Sequence, residues 1–108
     1  MKKWQKSLLN GVLMLRAKWT ELALQDMQEA IDYISRDNPN AAHSVALKCH
    51  KAVQMLRELP SLGREGRYPE TREWVVSGLP YTIWYRINDE QQSLDILRVF
   101  HDAQQRPE

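Results

Sequence analysis

Between Thr71 and His101 apolar and polar residues alternate in the manner of extended backbone. Three runs, REWVVS (72–77), YTIWYRIN (81–88) and SLDILRVFH (93–101), are rich in Val, Ile, Trp, Tyr and Phe. They are separated by Gly78-Leu79-Pro80 and by Asn88-Asp89-Glu90-Gln91-Gln92, clusters with turn chemistry, which predicts three consecutive antiparallel strands. In the middle run Tyr81, Ile83, Tyr85 and Ile87 share one face, and Thr82, Trp84 and Arg86 the other. Strict alternation in the last run sets Leu94, Ile96, Arg98 and Phe100 against Leu97, Val99 and His101. Both faces are apolar enough to need cover, one fully and the other in part.

The cover is encoded upstream. Leu15-Arg16-Ala17-Lys18-Trp19 alternates apolar and basic residues and reads as a short first strand. Thr20 offers a helix N-cap with Glu21 in the first turn. Ala23, Met27, Ala30, Ile31 and Ile34 then form one apolar stripe to about Arg36, leaving Asp26, Gln28, Glu29 and Asp32 facing water. Asn38-Pro39 caps and opens a second helix that buries Ala42, Val45, Cys49, Ala52, Val53, Leu56 and Leu59, ended by Pro60 and Gly63. So short a joint predicts an antiparallel helical hairpin laid on one sheet face. The fold class is α+β: β-α-α-β-β-β, a helical hairpin packed on a small, mainly antiparallel sheet. Residues 14–108 form one domain, preceded by an extension over 1–13.

The 108 residues carry a formal charge of +1 with 43% hydrophobic and 27% charged content, so overall charge does not point to nucleic acid. No apolar run approaches the roughly 18 residues that span a bilayer. The start, MKKWQKSLLNGVLM, is basic and then briefly apolar, but Asn10-Gly11 breaks it and no small-residue cleavage site follows. It is read as a flexible or weakly helical extension, with Met14 as an alternative start. A lone Cys49 leaves no internal disulfide and fits a reducing compartment.

Candidate chemistry lies near the sheet. No phosphate loop, nucleophile elbow or metal-ligand spacing is present, and His43 and His50 stand too far apart on their helix to chelate. No metal or cofactor is expected. His101, ending the last strand beside Arg98, has the chemistry of a general acid or base, or of a strand-end hydrogen bond. Arg64, Arg67, Arg72, Arg86 and Arg98, with Trp74 and Trp84, are expected to gather about the open sheet face as a docking surface. Glu65, Glu70 and Glu73, interspersed among them, favour local ion pairs and an acidic protein partner over nucleic acid.

The runs LRAKWTELALQDMQEAIDYI, LRELPSLGREGRYPETRE, TREWVVSGLPYTIWYRI and ILRVFHDAQQRP, in this order, resemble the ParE branch of the RelE/ParE toxin superfamily from Leu15 to Pro107. The resemblance implies the toxin of a bacterial type II toxin–antitoxin module, cytoplasmic and neutralised by a cognate antitoxin that carries any DNA contact. It further implies inhibition of DNA gyrase, by binding. The alternative is the RelE-like activity, ribosome-dependent mRNA cleavage by cations on the central strands with a C-terminal Tyr or His. Where such cations are expected this chain has Glu73, Val75 and Thr82, so cleavage would fall to His101, Arg98 and Arg86.

Overall fold

Thr20 and Asn38 start the helices through their side-chain oxygens, which accept the Ala23 and Ala41 amides at 3.1 Å each. In the computed structural model, which describes residues 7–9 and 12–103 with side chains from Met14 onward, α1 spans Glu21–Ser35 and α2 Pro39–Glu58. Around them run β1 (Ser7–Leu9), β2 (Val12–Met14), β3 (Arg16–Trp19), β4 (Arg64–Glu65), β5 (Thr71–Val75), β6 (Tyr81–Asn88) and β7 (Ser93–His101). Among the described residues five strands form the main sheet in the order β3-β7-β6-β5-β4, with β3 parallel to β7 and the other pairs antiparallel. The β-α-α-β-β-β frame is therefore as expected, with β4 added between α2 and β5.

The helical hairpin lies on one face. Ala23 of α1 and Val45, Cys49, Val53 and Leu56 of α2 close over Ile83 and Tyr85 of β6 and Leu94, Ile96 and Val99 of β7. Leu56, Ile83, Leu94 and Ile96 are fully buried, each contributing about 1.5–3 kcal/mol by leaving water. Leu59, expected inside, is 56% exposed because it follows the last helical turn as the C-cap.

Two corrections follow from the strands. Strict alternation fails in β7, because Trp84 pairs with Arg98 while Tyr85 pairs with Ile96, leaving Leu97 as an extra residue. This bulge shifts the phase: Leu94, Ile96, Val99 and His101 share the helix side, and Asp95, Arg98 and Phe100 the other. At the N-terminus Ser7–Leu9 pairs antiparallel with Val12–Met14, so these residues are extended and not weakly helical. Residues 1–6, 10 and 11, and the polar tail over 104–108, lie outside the described residues.

Candidate functional site

On the sheet face away from the helices, alternation sets Thr82, Trp84 and Arg86 of β6 beside Glu73 and Val75 of β5 and Arg98 and Phe100 of β7. Trp84 is the centre of an aromatic row, with ring centroids 5.5 Å from Tyr68 and 6.1 Å from Phe100. Tyr68 comes from the loop between β4 and β5, so that loop supplies the partial cover this face requires. Val75, beyond the reach of β4, stays 50% exposed. The Trp84 indole N–H is buried without a hydrogen-bond partner among the described residues.

The arginines do not pool their charge there. Arg86 donates to Asp95 at 3.2 Å, and Arg64 at the sheet edge donates to Glu73 at 3.2 Å. Burial alone would raise the Asp95 carboxyl, but hydrogen bonds from Ser93, Asn88 and Arg86 together bring it below the usual carboxylate range. Arg72 is not on the open face at all. It pairs with Tyr85, on the helix side, and donates to the carbonyls of Gly63 at 2.8 Å and Ser61 at 3.3 Å. There it helps Tyr85, whose hydroxyl donates to Pro60 and accepts the Gly63 amide, to fasten the 3-10 turn Pro60–Leu62. Trp74 likewise pairs with Ile83 and packs against the core from the helix side. Arg67 lies on the β4–β5 loop, along a cleft of about 490 Å³ with Tyr68, Glu70 and Asp89.

Arg98 has the most demanding role. β3 ends opposite Ile96, so the rest of that β7 edge would be bare backbone without the start of α1. The Thr20 hydroxyl donates to the Leu97 carbonyl at 2.9 Å, and Asp26 accepts the Val99 amide at 2.9 Å. Arg98 bends round this edge to give Asp26 two further bonds, 2.8 and 3.0 Å long. Its guanidinium, also 4.9 Å above the Phe100 ring, is held still more firmly protonated by the hydrogen bond to Asp26. Asp26, expected to face water, is thus a partly buried anchor with only 9% of its side chain exposed.

His101 falls on the helix side of the bulge. Its ring meets Tyr81 edge-on at 5.2 Å, and its Nδ1 accepts the Ala103 amide at 3.0 Å, which leaves the proton on Nε2. It lines a cleft of about 400 Å³ between α1 and the ends of β6 and β7, together with Asp26, Glu29, Tyr33, Tyr81 and Val99. Burial, then the nearby Cys49 and Tyr33, raises the Tyr81 hydroxyl above its ordinary pKa. Among the described residues no group of three His, Cys, Asp or Glu is placed to hold a metal, and no helix is long and apolar enough to cross a membrane.

The family model described as the ParE toxin of the type II toxin–antitoxin system parDE matches residues 17–106. The chain belongs to the ParE toxin family. The toxin is 42% identical over 93 residues to the toxin-named protein Y4kP of Sinorhizobium fredii, covering 86% of this chain and 94% of that one. It is 37% identical over 90 residues to Toxin RelE2 of Caulobacter vibrioides, covering 83% and 98%. Among solved structures, a chain of the chromosomal ParDE system of P. aeruginosa superposes with TM-score 0.70 at 23% identity, over 82% of this chain and 96% of that one. The toxin–antitoxin complex RelBE2 of Mycobacterium tuberculosis gives 0.57 at 25% identity, over 82% and 98%. These matches make the toxin a type II toxin–antitoxin toxin of the ParE/RelE superfamily.

Of the eight residues singled out in the toxin's sequence, Trp84, Arg86 and Arg98 share the open face, Arg64 and Arg67 sit at its edge, and Arg72, Trp74 and His101 lie on the helix side. Asp26, Glu29, Tyr33, Tyr68 and Tyr81 were not expected to take part. Only the spacing of Asp26, Glu29 and Tyr33 along one face of α1 hints at a shared role.

Proposed function

We propose that this toxin acts by binding DNA gyrase and inhibiting it, without cutting nucleic acid, and that a cognate antitoxin in the bacterial cytoplasm neutralises it. The observation that carries this reading is the engagement of the arginines. Cleaving a phosphodiester without a metal needs unpaired positive charge at the developing phosphorane and a proton shuttle beside it. Here Arg64, Arg86 and Arg98 are matched by carboxylates, Arg72 is spent on backbone carbonyls, and His101 lies on the other side of the sheet. Loss of one such electrostatic group commonly costs about 100-fold or more in rate. The aromatic row and the exposed Val75 suit docking instead.

An antitoxin partner is supported by the relatives, one from a ParDE system and another solved as a RelBE2 toxin–antitoxin complex. Any contact with DNA is then made through the antitoxin. The test is a supercoiling assay with purified gyrase, with and without the protein encoded beside this toxin. Inhibition or trapped cleavage complexes, relieved by that protein, is the expected result; unchanged supercoiling at micromolar toxin counts against it.

The relative named Toxin RelE2 favours a second reading, ribosome-dependent mRNA cleavage through His101, Arg98 and Arg86. It requires the Arg98–Asp26 and Arg86–Asp95 pairs to open when RNA arrives, and predicts codon-phased cuts that His101→Ala abolishes.

A further inference from the structure

We infer that the cleft between α1 and the ends of β6 and β7 is a receptor for a basic side chain, an arginine or lysine of the antitoxin. The inference rests on the antitoxin reading above and adds the chemistry of one contact.

The first observation is charge. Leu22, Asp26, Glu29 and Tyr33 recur along one face of α1, and the last three line the cleft. Asp26 is matched by Arg98, whose guanidinium also feels the charge of Glu29. Two carboxylates therefore meet one guanidinium, and one negative charge is left over at the cleft. The second observation is the Tyr81 hydroxyl. Tyr81 is only 7% exposed, lines the cleft, and has no side-chain hydrogen bond to any described residue. That hydroxyl is not among the buried polar atoms left without a partner, so it faces the water of the cleft, and an entering N–H donor can take that water's place.

The third is the walls. Tyr33 is 70% exposed, an unusual position for a large ring, and Tyr81 stands nearby with His101 edge-on to it. Two tyrosine rings with a carboxylate at the rim have the composition that receives a guanidinium or ammonium group: the ring faces attract the cation, Glu29 offsets its charge, and Tyr81 accepts an N–H. An acidic side chain would meet the unmatched carboxylate, and a purely apolar one would leave the Tyr81 hydroxyl unpaired. An antitoxin segment that lays acidic residues beside Arg86 or Arg64 must thus present one basic residue here.

Two titrations test this. In the first, N-acetyl-arginine amide is added to the toxin while the ring signals of Tyr33, Tyr81 and His101 are followed by NMR, with N-acetyl-citrulline amide as the neutral isostere. A single side chain should bind with a Kd on the order of millimolar, with citrulline and the Glu29→Gln variant each weaker by about tenfold or more. Equal response to citrulline, or no shift at those rings, overturns the inference. In the second, the protein encoded beside the toxin is titrated into wild type and Glu29→Gln. Weakening by about tenfold or more is expected, whereas equal affinity overturns the antitoxin as the source of the basic group. If that protein fails to bind even wild type, the antitoxin reading fails, and the amide titration still decides the cleft.

Discussion

Removing the Asp26 carboxylate should damage this fold severely. Asp26→Ala deletes three hydrogen bonds, two from Arg98 and one from the Val99 amide. The orphaned amide alone costs about 1–3 kcal/mol. Stranding the partner of a buried ion pair costs about 3–5 kcal/mol, but Arg98 keeps 24% of its side chain exposed and can partly hydrate. A total of about 3 kcal/mol is therefore expected, a large share of the roughly 5–15 kcal/mol that holds a small domain together. At about 4 °C per kcal/mol for a chain of this size, the melting temperature should fall by roughly 10 °C. Asp26→Asn keeps the shape and one acceptor, and should lose about half as much. Urea unfolding of both variants, with Arg98→Met and the double variant to close a cycle, gives the coupling energy directly. Amide exchange at Val99 should rise in Asp26→Ala beyond the global change. A loss under about 0.5 kcal/mol, or no coupling to Arg98, would refute the claim that this pair seals the bare edge of β7.

Three further outcomes follow from buried groups. Cys49 is 1% exposed and burial pushes its thiol up to about 11, so native toxin should resist thiol reagents at pH 8 and react fully only in denaturant; prompt stoichiometric labelling would contradict this. Because the folded Asp95 carboxyl is held below its unfolded value, its stabilisation is present above about pH 4 and lost as pH falls through the folded value. The stability gap between wild type and Asp95→Asn, read from urea midpoints, should therefore be widest near neutral pH and close in acid. Tyr85→Phe strips the Pro60 carbonyl and Gly63 amide of their partner and should cost roughly 1–3 kcal/mol, with protease nicking near residues 60–63 as the visible sign.

How far each feature could be read in advance depended on the range of the interaction behind it. Thr20 and Asn38 act on amides three residues away, and the buried face of α2 repeats every three or four residues, so both helices were plain. The β7 bulge leaves a trace, since the apolar phase set by Leu94 and Ile96 resumes at Val99 after adjacent Ile96-Leu97. Strict alternation overrode that trace and placed His101 on the wrong side. The pairing of β1 with β2 was missed because each is only three residues long, too short for alternation to show. Nothing local could announce Asp26 with Arg98, 72 residues apart, because α1 meets β7 only once the bulge and the short β3 leave an edge to cover. For the same reason the cleft lined by Glu29, Tyr33, Tyr81 and His101 was hidden.

The central claim is that Arg64, Arg72, Arg86 and Arg98 are engaged by the toxin's own carboxylates and carbonyls, which is the basis for proposing that it works by docking. The most direct measurement is a genome-wide map of mRNA 5′ ends after brief induction of wild type and His101→Ala. The account predicts no codon-phased ends in either. Phased ends in wild type that disappear with His101 would contradict it.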